Sequence, residues 1–203
     1  MIKNLIFDWS GTLSDDLVSV YTIVRNIFRR LGLRELTFSE CRIEFMLPYM
    51  DFWKKFTDKS REEIQQMFIE EYDKVWKSKP FTGAKATLEF LHKNNKMLAI
   101  LSSQPQKQLE KEVNDYGFKD LFCDIRGSIH NKIENINSLI GRNKFVLDET
   151  VMIGDMMHDI EAGKKAKIKT VAVLWGYDSK DKLESKKPDF IVRNFVELKK
   201  IFS

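Results

Sequence analysis

The sequence predicts an α/β protein whose doubly wound parallel sheet is interrupted by an all-helical insertion. Short apolar runs without polar alternation are separated by segments with helical spacing, the pattern of buried parallel strands and crossover helices. From about residue 15 to residue 80 this alternation stops and helical patterns replace it. Glycine (9 residues) and proline (4 residues) are sparse, which favours a helix-rich protein over a turn-rich β-sandwich.

Five apolar runs are predicted to be the strands of the sheet. Each is short enough for a strand and is flanked by polar, glycine or charged residues. The runs are Leu5–Phe7, Met97–Leu101, Val151–Ile153, Thr170–Leu174 and Phe190–Val192. Between them, Pro105 is suited to the start of a helix and Gly117 to its end.

The insertion contains two clear helical signals. Apolar residues recur at helical spacing from Leu17 to Leu31, and Gly32 is expected to end that helix. Ser60 and Glu63 have the spacing of a capping box, so a second helix is expected to begin there. At 203 residues, the chain is expected to form one core from residues 1–14 and 81–203, with a helical unit at 15–80.

Composition excludes several classes of protein. Hydrophobic residues make up 43% and charged residues 32%, which excludes a disordered or collagen-like chain. The net charge of +4 comes from dispersed lysines, so no nucleic-acid partner is expected. The longest apolar run, Met97–Leu101, is too short to span a membrane, and the N-terminus does not resemble a signal peptide.

The two cysteines, Cys41 and Cys123, lack the spacing of metal ligands. They are expected to be buried thiols of a protein in a reducing compartment, which favours the cytoplasm. A monomer or a homodimer is expected.

Chemically capable residues follow the predicted strands. In open α/β sheets the ligand site lies at the carboxyl ends of the strands, so these side chains are expected to converge. They are Asp8 after the first run, Ser102 and Ser103 after the second, Asp155 and Asp159 after the third, and Lys132 at a helix start. Taken singly, each has an ordinary structural role as a turn, cap or surface residue.

The combination of these residues favours a magnesium site. Clustered carboxylates disfavour one another's ionisation, and a cation relieves that repulsion. Oxygen ligands suit Mg²⁺, which usually keeps some water ligands and shares the phosphate of a substrate.

Four segments resemble the motifs of the haloacid dehalogenase superfamily, specifically its phosphoglycolate phosphatase-like members with a small helical cap. The first, Asp8-Trp9-Ser10-Gly11-Thr12-Leu13 followed by Asp15, is similar to Asp-x-Asp-Gly-Thr-Leu-x-Asp. The others are the apolar strand Leu98–Ser102, Lys132, and Gly154–Asp159, which is similar to Gly-Asp-x-x-x-Asp. The resemblance extends over nearly the whole chain and implies a Rossmann-like core with an inserted helical cap.

The resemblance also implies a role for each matching residue. Asp8 would attack phosphorus and form an aspartyl phosphate. Mg²⁺ would bind Asp8, the Ser10 backbone carbonyl and Asp155, with Asp159 holding Lys132 or a metal-bound water.

For the phosphate, the resemblance implies contacts from side chains and backbone amides. Lys132 would neutralise charge on the phosphoryl group. The further substrate-binding residues would be Ser102, Ser103, Gly11 and Thr12. The expected substrate is a small phosphorylated metabolite, which the sequence does not identify.

Ser10 departs from the family pattern. It stands at the catalytic position where the family's phosphatases carry the aspartate that protonates the leaving alcohol and then activates water. A serine hydroxyl cannot replace that carboxyl near neutral pH, and general acid–base catalysis is worth about 10²–10⁴-fold. The sequence therefore predicts metal and phosphate binding with reduced turnover, unless another group substitutes.

The sequence is compatible with three functions. The first is a Mg²⁺-dependent phosphatase, and the second a nearly inactive phosphate-binding or regulatory protein. The third is a hydrolase of carbon–phosphorus bonds similar to phosphonoacetaldehyde hydrolase, whose first motif also has a small residue at the position of Ser10. Such an enzyme needs a cap lysine, for which Lys54 and Lys55 are the candidates.

Overall fold

The computed structural model describes residues 1–129 and 131–203, apart from the side chain of Ile133. The chain divides into two compact units. The core unit consists of Met1–Asp15 and Lys79–Ser203, and the helical unit consists of Asp16–Ser78.

The described residues form eight strands. In chain order they are β1 (Asn4–Phe7), β2 (Ser14–Asp15), β3 (Lys79–Pro80), β4 (Met97–Leu101), β5 (Asp124–Arg126), β6 (Thr150–Gly154), β7 (Lys169–Val173) and β8 (Phe190–Val192). Six of them form one sheet in the order β5-β4-β1-β6-β7-β8, and every neighbouring pair in it is parallel. The predicted parallel α/β sheet is confirmed.

The described residues also form ten α-helices. In chain order they are α1 (Leu17–Arg30), α2 (Phe38–Glu44), α3 (Tyr49–Trp53), α4 (Arg61–Val75), α5 (Ala84–Lys93), α6 (Gln106–Asp115), α7 (Lys132–Asn143), α8 (Met157–Lys165), α9 (Lys180–Ser185) and α10 (Phe195–Ile201). The first four lie in the helical unit and the other six in the core unit. None of the described helices is long and apolar enough to cross a membrane.

Both faces of the sheet are covered because successive side chains of a strand point to opposite sides. Leu5 and Phe7 of β1 pack with Leu88 of α5, Leu109 of α6 and other residues in one hydrophobic cluster. Ile6, between them, belongs to a second cluster with residues of α7 and α8. All four residues of β1 are buried, as expected for a strand at the centre of the sheet.

The edge strand β5 was not among the predicted strands. Its three residues, Asp124-Ile125-Arg126, are all partly exposed and two are charged, so the segment lacks the apolar run that marks the central strands. Asp124 also accepts a hydrogen bond from Arg126 at 2.9 Å. Pairing with β4, rather than local preference, makes this segment a strand.

The helical unit is fully described, and none of its residues lies in a strand. Capping boxes begin two of its helices, at Thr37 for α2 and at Ser60 for α4. Phe28, Phe52 and Phe56 pack edge-on or tilted against one another, with ring centroids 4.9–6.2 Å apart. The aromatic residues of this unit thus build a small core of its own.

A pair of two-residue strands lies next to the unit boundary, and the sequence did not predict it. Ser14 pairs with Pro80 and Asp15 with Lys79, antiparallel. A strand of two residues is too short to show an alternation of polar and apolar side chains. The boundaries in the structure fall after Asp15 and after Ser78, against the predicted 14 and 80.

One expectation about the cysteines is wrong. Cys41 is buried, but Cys123 is exposed. Cys123 lies directly before the edge strand β5, where the sheet is not covered by a further strand.

Candidate active site

The carboxyl ends of three adjacent strands, β4, β1 and β6, lie at one edge of the sheet. Asp8 follows β1, and its backbone N–H donates to the carbonyl of Ile153 in β6 at 2.9 Å. Ser102 follows β4, and its N–H donates to Arg126 of β5 at 2.8 Å. Asp155 directly follows β6. The parallel topology therefore brings these polar side chains to the same edge.

Three carboxylates cluster at this edge. Asp8, Asp155 and Asp159 each offer one oxygen atom, and these atoms lie within 4.8 Å of one another. The exposed fractions are 4% for Asp8 and 0% for the other two. Such buried acids are costly to ionise together, because each negative charge opposes the next.

Lys132 neutralises part of this charge. It is the first residue of α7 and is only 1% exposed. Its Nζ lies 2.7 Å from Asp8 Oδ1 and 2.5 Å from Asp159 Oδ1. The second oxygen of Asp159 accepts the backbone N–H of Met156 at 3.0 Å. Both oxygens of Asp159 are therefore engaged, so its carboxylate is well placed to hold Lys132 against Asp8.

Asp155 is held by donors from two loops. Thr12 Oγ1 donates to one of its oxygens at 2.7 Å, and the Tyr177 N–H donates to the other at 2.7 Å. A Cβ atom on Gly11 or on Gly176 would collide with this carboxylate. Gly11 also has φ of +74°, a left-handed conformation that favours glycine.

The electrostatics of the cluster favour a cation. Burial raises the pKa of Asp8 to about 6, although Lys132 opposes this. Burial, followed by the charges of Asp8 and Asp159, raises the pKa of Asp155 well above its ordinary value. Burial would lower the pKa of Lys132, but Asp159 and Asp8 outweigh it and raise that pKa. The ammonium of Lys132 pairs with Asp8 and Asp159 but with no oxygen of Asp155 that the structure records, so a divalent cation with oxygen ligands, such as Mg²⁺, fits the residues present.

The loop after Asp8 is fixed largely by its own backbone. The carbonyl of Trp9 accepts the N–H groups of Thr12, Leu13 and Ser14 at 2.8–3.1 Å, and Gly11 N–H donates to Ser14 at 2.9 Å. The amides of Gly11 and Thr12, expected to bind phosphate, therefore have partners within the loop. Thr12 also contacts Asp155, and phosphate binding by Gly11 and Thr12 stays a prediction.

Trp9 connects this loop to α6. Its Nε1 donates to Glu112 Oε2 at 2.7 Å, and its ring stacks on Tyr116 with centroids 5.4 Å apart. Ser14 Oγ donates to the same Glu112 oxygen at 3.4 Å. Sequence reasoning missed Glu112, whose signal is a glutamate within the apolar stripe formed by Leu109 and Val113.

The remaining expected residues lie around this centre. Ser10 is partly exposed and places no carboxyl group beside Asp8. Ser102 is buried, and its Oγ accepts the N–H of Gln104 at 3.1 Å. Ser103 is partly exposed. His130, which precedes Lys132 in the third matching segment, lies outside the described residues.

The family profile that matches the chain describes haloacid dehalogenase-like hydrolases and covers residues 5–173. The chain belongs to this family. This hydrolase is 29% identical to a phosphoglycolate phosphatase of Aquifex aeolicus, over 98% of this chain and 96% of the relative. It is 26% identical to the pyrophosphatase PpaX of Halalkalibacterium halodurans, over 97% and 95% of the two chains.

Solved structures agree on the fold of this hydrolase. A haloacid dehalogenase-like family protein of Streptococcus pneumoniae superposes with a TM-score of 0.87 at 20% identity. The superposition covers 100% of this chain and 99% of that protein. The likeness at this identity concerns the fold alone.

Proposed function

We propose that this hydrolase is a Mg²⁺-dependent phosphatase that acts on a small phosphorylated metabolite through phosphorylation of Asp8. The observation that carries the proposal is the contact of Asp8 with the buried ammonium of Lys132, beside Asp155. A nucleophilic carboxylate, a cation and a candidate metal site are thereby combined at one strand edge. Relatives named as a phosphoglycolate phosphatase and a pyrophosphatase support phosphate release as the reaction.

Asp8, Asp155 and the backbone carbonyl of Ser10 would hold Mg²⁺, as the family resemblance implies. When bound, the ion supplies positive charge that offsets the repulsion between the Asp8 carboxylate and the phosphate. Lys132 supplies a second positive charge, and Asp159 keeps its ammonium in place at 2.5 Å. The hydroxyl groups of Ser102 and Ser103 would donate hydrogen bonds to phosphate oxygens.

The reaction would proceed in two displacements at phosphorus. In the first, a carboxylate oxygen of Asp8 forms a bond to phosphorus while the ester P–O bond breaks and the leaving oxygen takes a proton. In the second, water attacks the aspartyl phosphate, releases inorganic phosphate and restores the carboxylate of Asp8. Lys132 stabilises negative charge on the phosphoryl oxygens in both displacements.

Ser10 limits this cycle. Its hydroxyl cannot act as the acid that protonates an alkoxide or as the base that activates water. Aryl and acyl phosphates would phosphorylate Asp8 readily, because their leaving oxygen needs no proton. Hydrolysis of the aspartyl phosphate would then be slow, and His158 or a residue of the helical unit is the next candidate for proton transfer.

The helical unit, Asp16–Ser78, is proposed to act as the cap that closes over the substrate and selects it. Support comes from its insertion directly after the loop that carries Asp8 and Ser10. The hydrophobic core that it has of its own is consistent with movement as one body.

A panel of phosphate esters, assayed with and without Mg²⁺, tests the proposal. We expect Mg²⁺-dependent release of phosphate that is abolished in Asp8→Asn, with a burst on p-nitrophenyl phosphate and phosphate trapped on Asp8. Asp120→Asn is a matched control, because Asp120 is exposed and precedes β5, so it lies near the amino end of that strand and not at its carboxyl end. Turnover without Mg²⁺, or turnover retained in Asp8→Asn, contradicts the mechanism.

Ser10 also supports a second candidate, a phosphate-binding protein with almost no turnover. Binding of phosphate and Mg²⁺ without hydrolysis of any ester in the panel would favour it.

Hydrolysis of carbon–phosphorus bonds would need a lysine in the helical unit, and Lys54 and Lys55 are the candidates. Both are exposed, and Lys55 pairs with Glu44 at 2.9 Å. Neither exposed side chain lies in the kind of desolvated pocket in which a lysine forms a Schiff base with a carbonyl substrate.

A further inference from the structure

Gln104 lies in the turn that follows Ser102. Its backbone N–H donates to Ser102 Oγ at 3.1 Å, and its carbonyl accepts the N–H of Ser128 at 2.6 Å. The residue is 6% exposed. The backbone of Gln104 is thus fixed at the carboxyl end of β4, two residues beyond a proposed phosphate ligand.

The side-chain amide of Gln104 has no hydrogen-bond partner among the described residues, although its Oε1 and Nε2 are both buried. The nearby Gln106 behaves differently, because its Oε1 accepts the N–H of Gly127 and its Nε2 donates to Glu110 and to the Ile125 carbonyl. Buried polar groups are almost always paired, so an unpaired amide indicates a missing partner.

The position of Gln104 connects it with the site. The residues Gly127–Ile129, which precede Lys132 in the chain, pack on this turn, since a Cβ on Gly127 would lie 2.7 Å from the Gln104 carbonyl oxygen. Ile129 N–H also donates to the carbonyl of Ser102 at 3.0 Å. Burial of Gln104 is compatible with contact to a substrate, because the proposed phosphate ligands Ser102 and Lys132 are each only 1% exposed.

We propose that Gln104 is a specificity residue whose amide binds a hydroxyl group in the organic part of the substrate. This inference rests on the proposed phosphatase function. An amide presents one acceptor and one donor group side by side, and a hydroxyl can pair with both. A carboxylate or a second phosphate would accept from Nε2 but would place negative charge against Oε1.

The chemical class of substrate follows from this pairing. The preferred substrates are phosphate esters of polyols or sugars, ahead of phosphorylated carboxylic acids and pyrophosphate. A site that pairs with a substrate hydroxyl discriminates strongly against the analogue that lacks it, because the site's buried polar groups then remain unpaired.

Two substrate pairs test this directly. Glycerol 1-phosphate is compared with propyl phosphate, and glucose 6-phosphate with cyclohexylmethyl phosphate, so that the hydroxyl groups are the main difference within each pair. For the wild type we expect kcat/KM to favour the hydroxylated member of at least one pair about tenfold, the scale of two neutral hydrogen bonds. In Gln104→Met that preference should fall to near unity, mainly through KM.

Thermal unfolding separates recognition from a structural role. Gln104→Met removes two unpaired buried groups at similar volume, so Tm should be unchanged or higher. The control Gln106→Met removes a fully paired amide and should lower Tm while the hydroxyl preference stays at its wild-type value. A lower Tm in Gln104→Met with an unchanged preference would overturn the proposal and indicate a paired structural water.

Binding measurements distinguish this inference from the proposed function. Calorimetric titration of the four esters into Asp8→Asn gives the hydroxyl preference without turnover. If the wild type hydrolyses none of them but binding retains a preference that Gln104→Met removes, the phosphatase proposal fails and the inference stands. If hydrolysis is normal and neither pair shows a preference, or if none of the esters is hydrolysed or bound, the inference fails.

Discussion

Ser10 stands where the family resemblance implies an aspartate, so the proposed chemistry lacks one carboxyl group. Asp8, Lys132, Asp155 and Asp159 lie together at the carboxyl edge, and these are the groups proposed for binding and attack. What is absent at Ser10 is a group that can exchange a proton near neutral pH. The defect is therefore expected in turnover rather than in binding.

Ser10→Asp should raise the turnover of alkyl phosphates by about 10²-fold or more, the scale of one acid–base catalyst. The added carboxyl also joins three buried acids, so part of the gain depends on saturating Mg²⁺. Steady-state rates on glycerol 1-phosphate measure the effect, and Ser10→Asn is the matched control of similar size. If the wild type already hydrolyses alkyl phosphates well and Ser10→Asp changes nothing, another residue transfers the proton.

A second prediction concerns the role of Asp155 in Mg²⁺ binding. The Asp155 carboxyl is buried among like charges, so Asp155→Asn should not destabilise the metal-free protein. In the presence of Mg²⁺, the same substitution should remove a metal ligand. We expect Mg²⁺ to raise Tm in the wild type and to leave Tm of Asp155→Asn nearly unchanged. Calorimetric titration of Asp155→Ala should show markedly weaker Mg²⁺ binding.

The control for Asp155 is Asp189→Asn. Asp189 belongs to the same unit but pairs with Lys169 and Thr170, at the start of β7. This variant should keep the Mg²⁺-induced rise in Tm even if it is less stable. Wild-type Mg²⁺ affinity in both Asp155 variants would contradict the assigned site.

At the scale of elements, α6 and the loop after Asp8 are held together by one buried glutamate. Glu112 accepts hydrogen bonds from Trp9 at 2.7 Å and from Ser14 at 3.4 Å, and Ser14 begins the strand that leads out of the core unit. The loop therefore depends on a residue about a hundred positions away in the chain. Sequence spacing gives no access to such a partner.

Glu112→Leu should lower the free energy of unfolding by about 1–3 kcal/mol, because it removes the acceptor of the buried Trp9 Nε1, while Ser14 Oγ keeps the hydroxyl of Tyr116 as a partner. Glu112→Gln retains an acceptor oxygen and should cost less. Urea denaturation measures both variants, and phosphate release should fall more in Glu112→Leu than in Glu112→Gln. Equal stability of the wild type and Glu112→Leu would show that the loop does not depend on this bond.

The sequence predicts some secondary-structure elements and contacts but not others. The apolar central strands were predictable because burial on both faces leaves a continuous apolar run, as in β1 and β6. Convergence of Asp8 and Asp155 followed from parallel topology. In contrast, β5, the β2–β3 pair, the partners of Glu112 and the burial of the Gln104 amide arise from tertiary contacts that no local pattern encodes.

At the scale of the whole molecule, each of the two units has its own hydrophobic core. The core unit has clusters on both sides of its sheet, and the helical unit has packed aromatic rings. The helical unit is inserted between Asp15 and Lys79, which pair as antiparallel neighbours. That pairing places the two ends of the insertion side by side within the core unit.

The insertion can therefore be replaced without opening the core unit. Joining Asp15 to Lys79 through Asn-Gly would turn β2 and β3 into a two-residue β-hairpin, for which this dipeptide is well suited. We expect the shortened chain to fold cooperatively, to retain the Mg²⁺-induced rise in Tm, and to hydrolyse p-nitrophenyl phosphate. Discrimination among natural phosphate esters by the size of their organic part should largely disappear, because the proposed cap is gone. Any preference for hydroxylated esters that depends on Gln104 should remain, because Gln104 belongs to the core unit. Unchanged discrimination by size in the shortened chain would show that the helical unit does not select the substrate, and loss of cooperative unfolding would show that the core unit needs the insertion to fold.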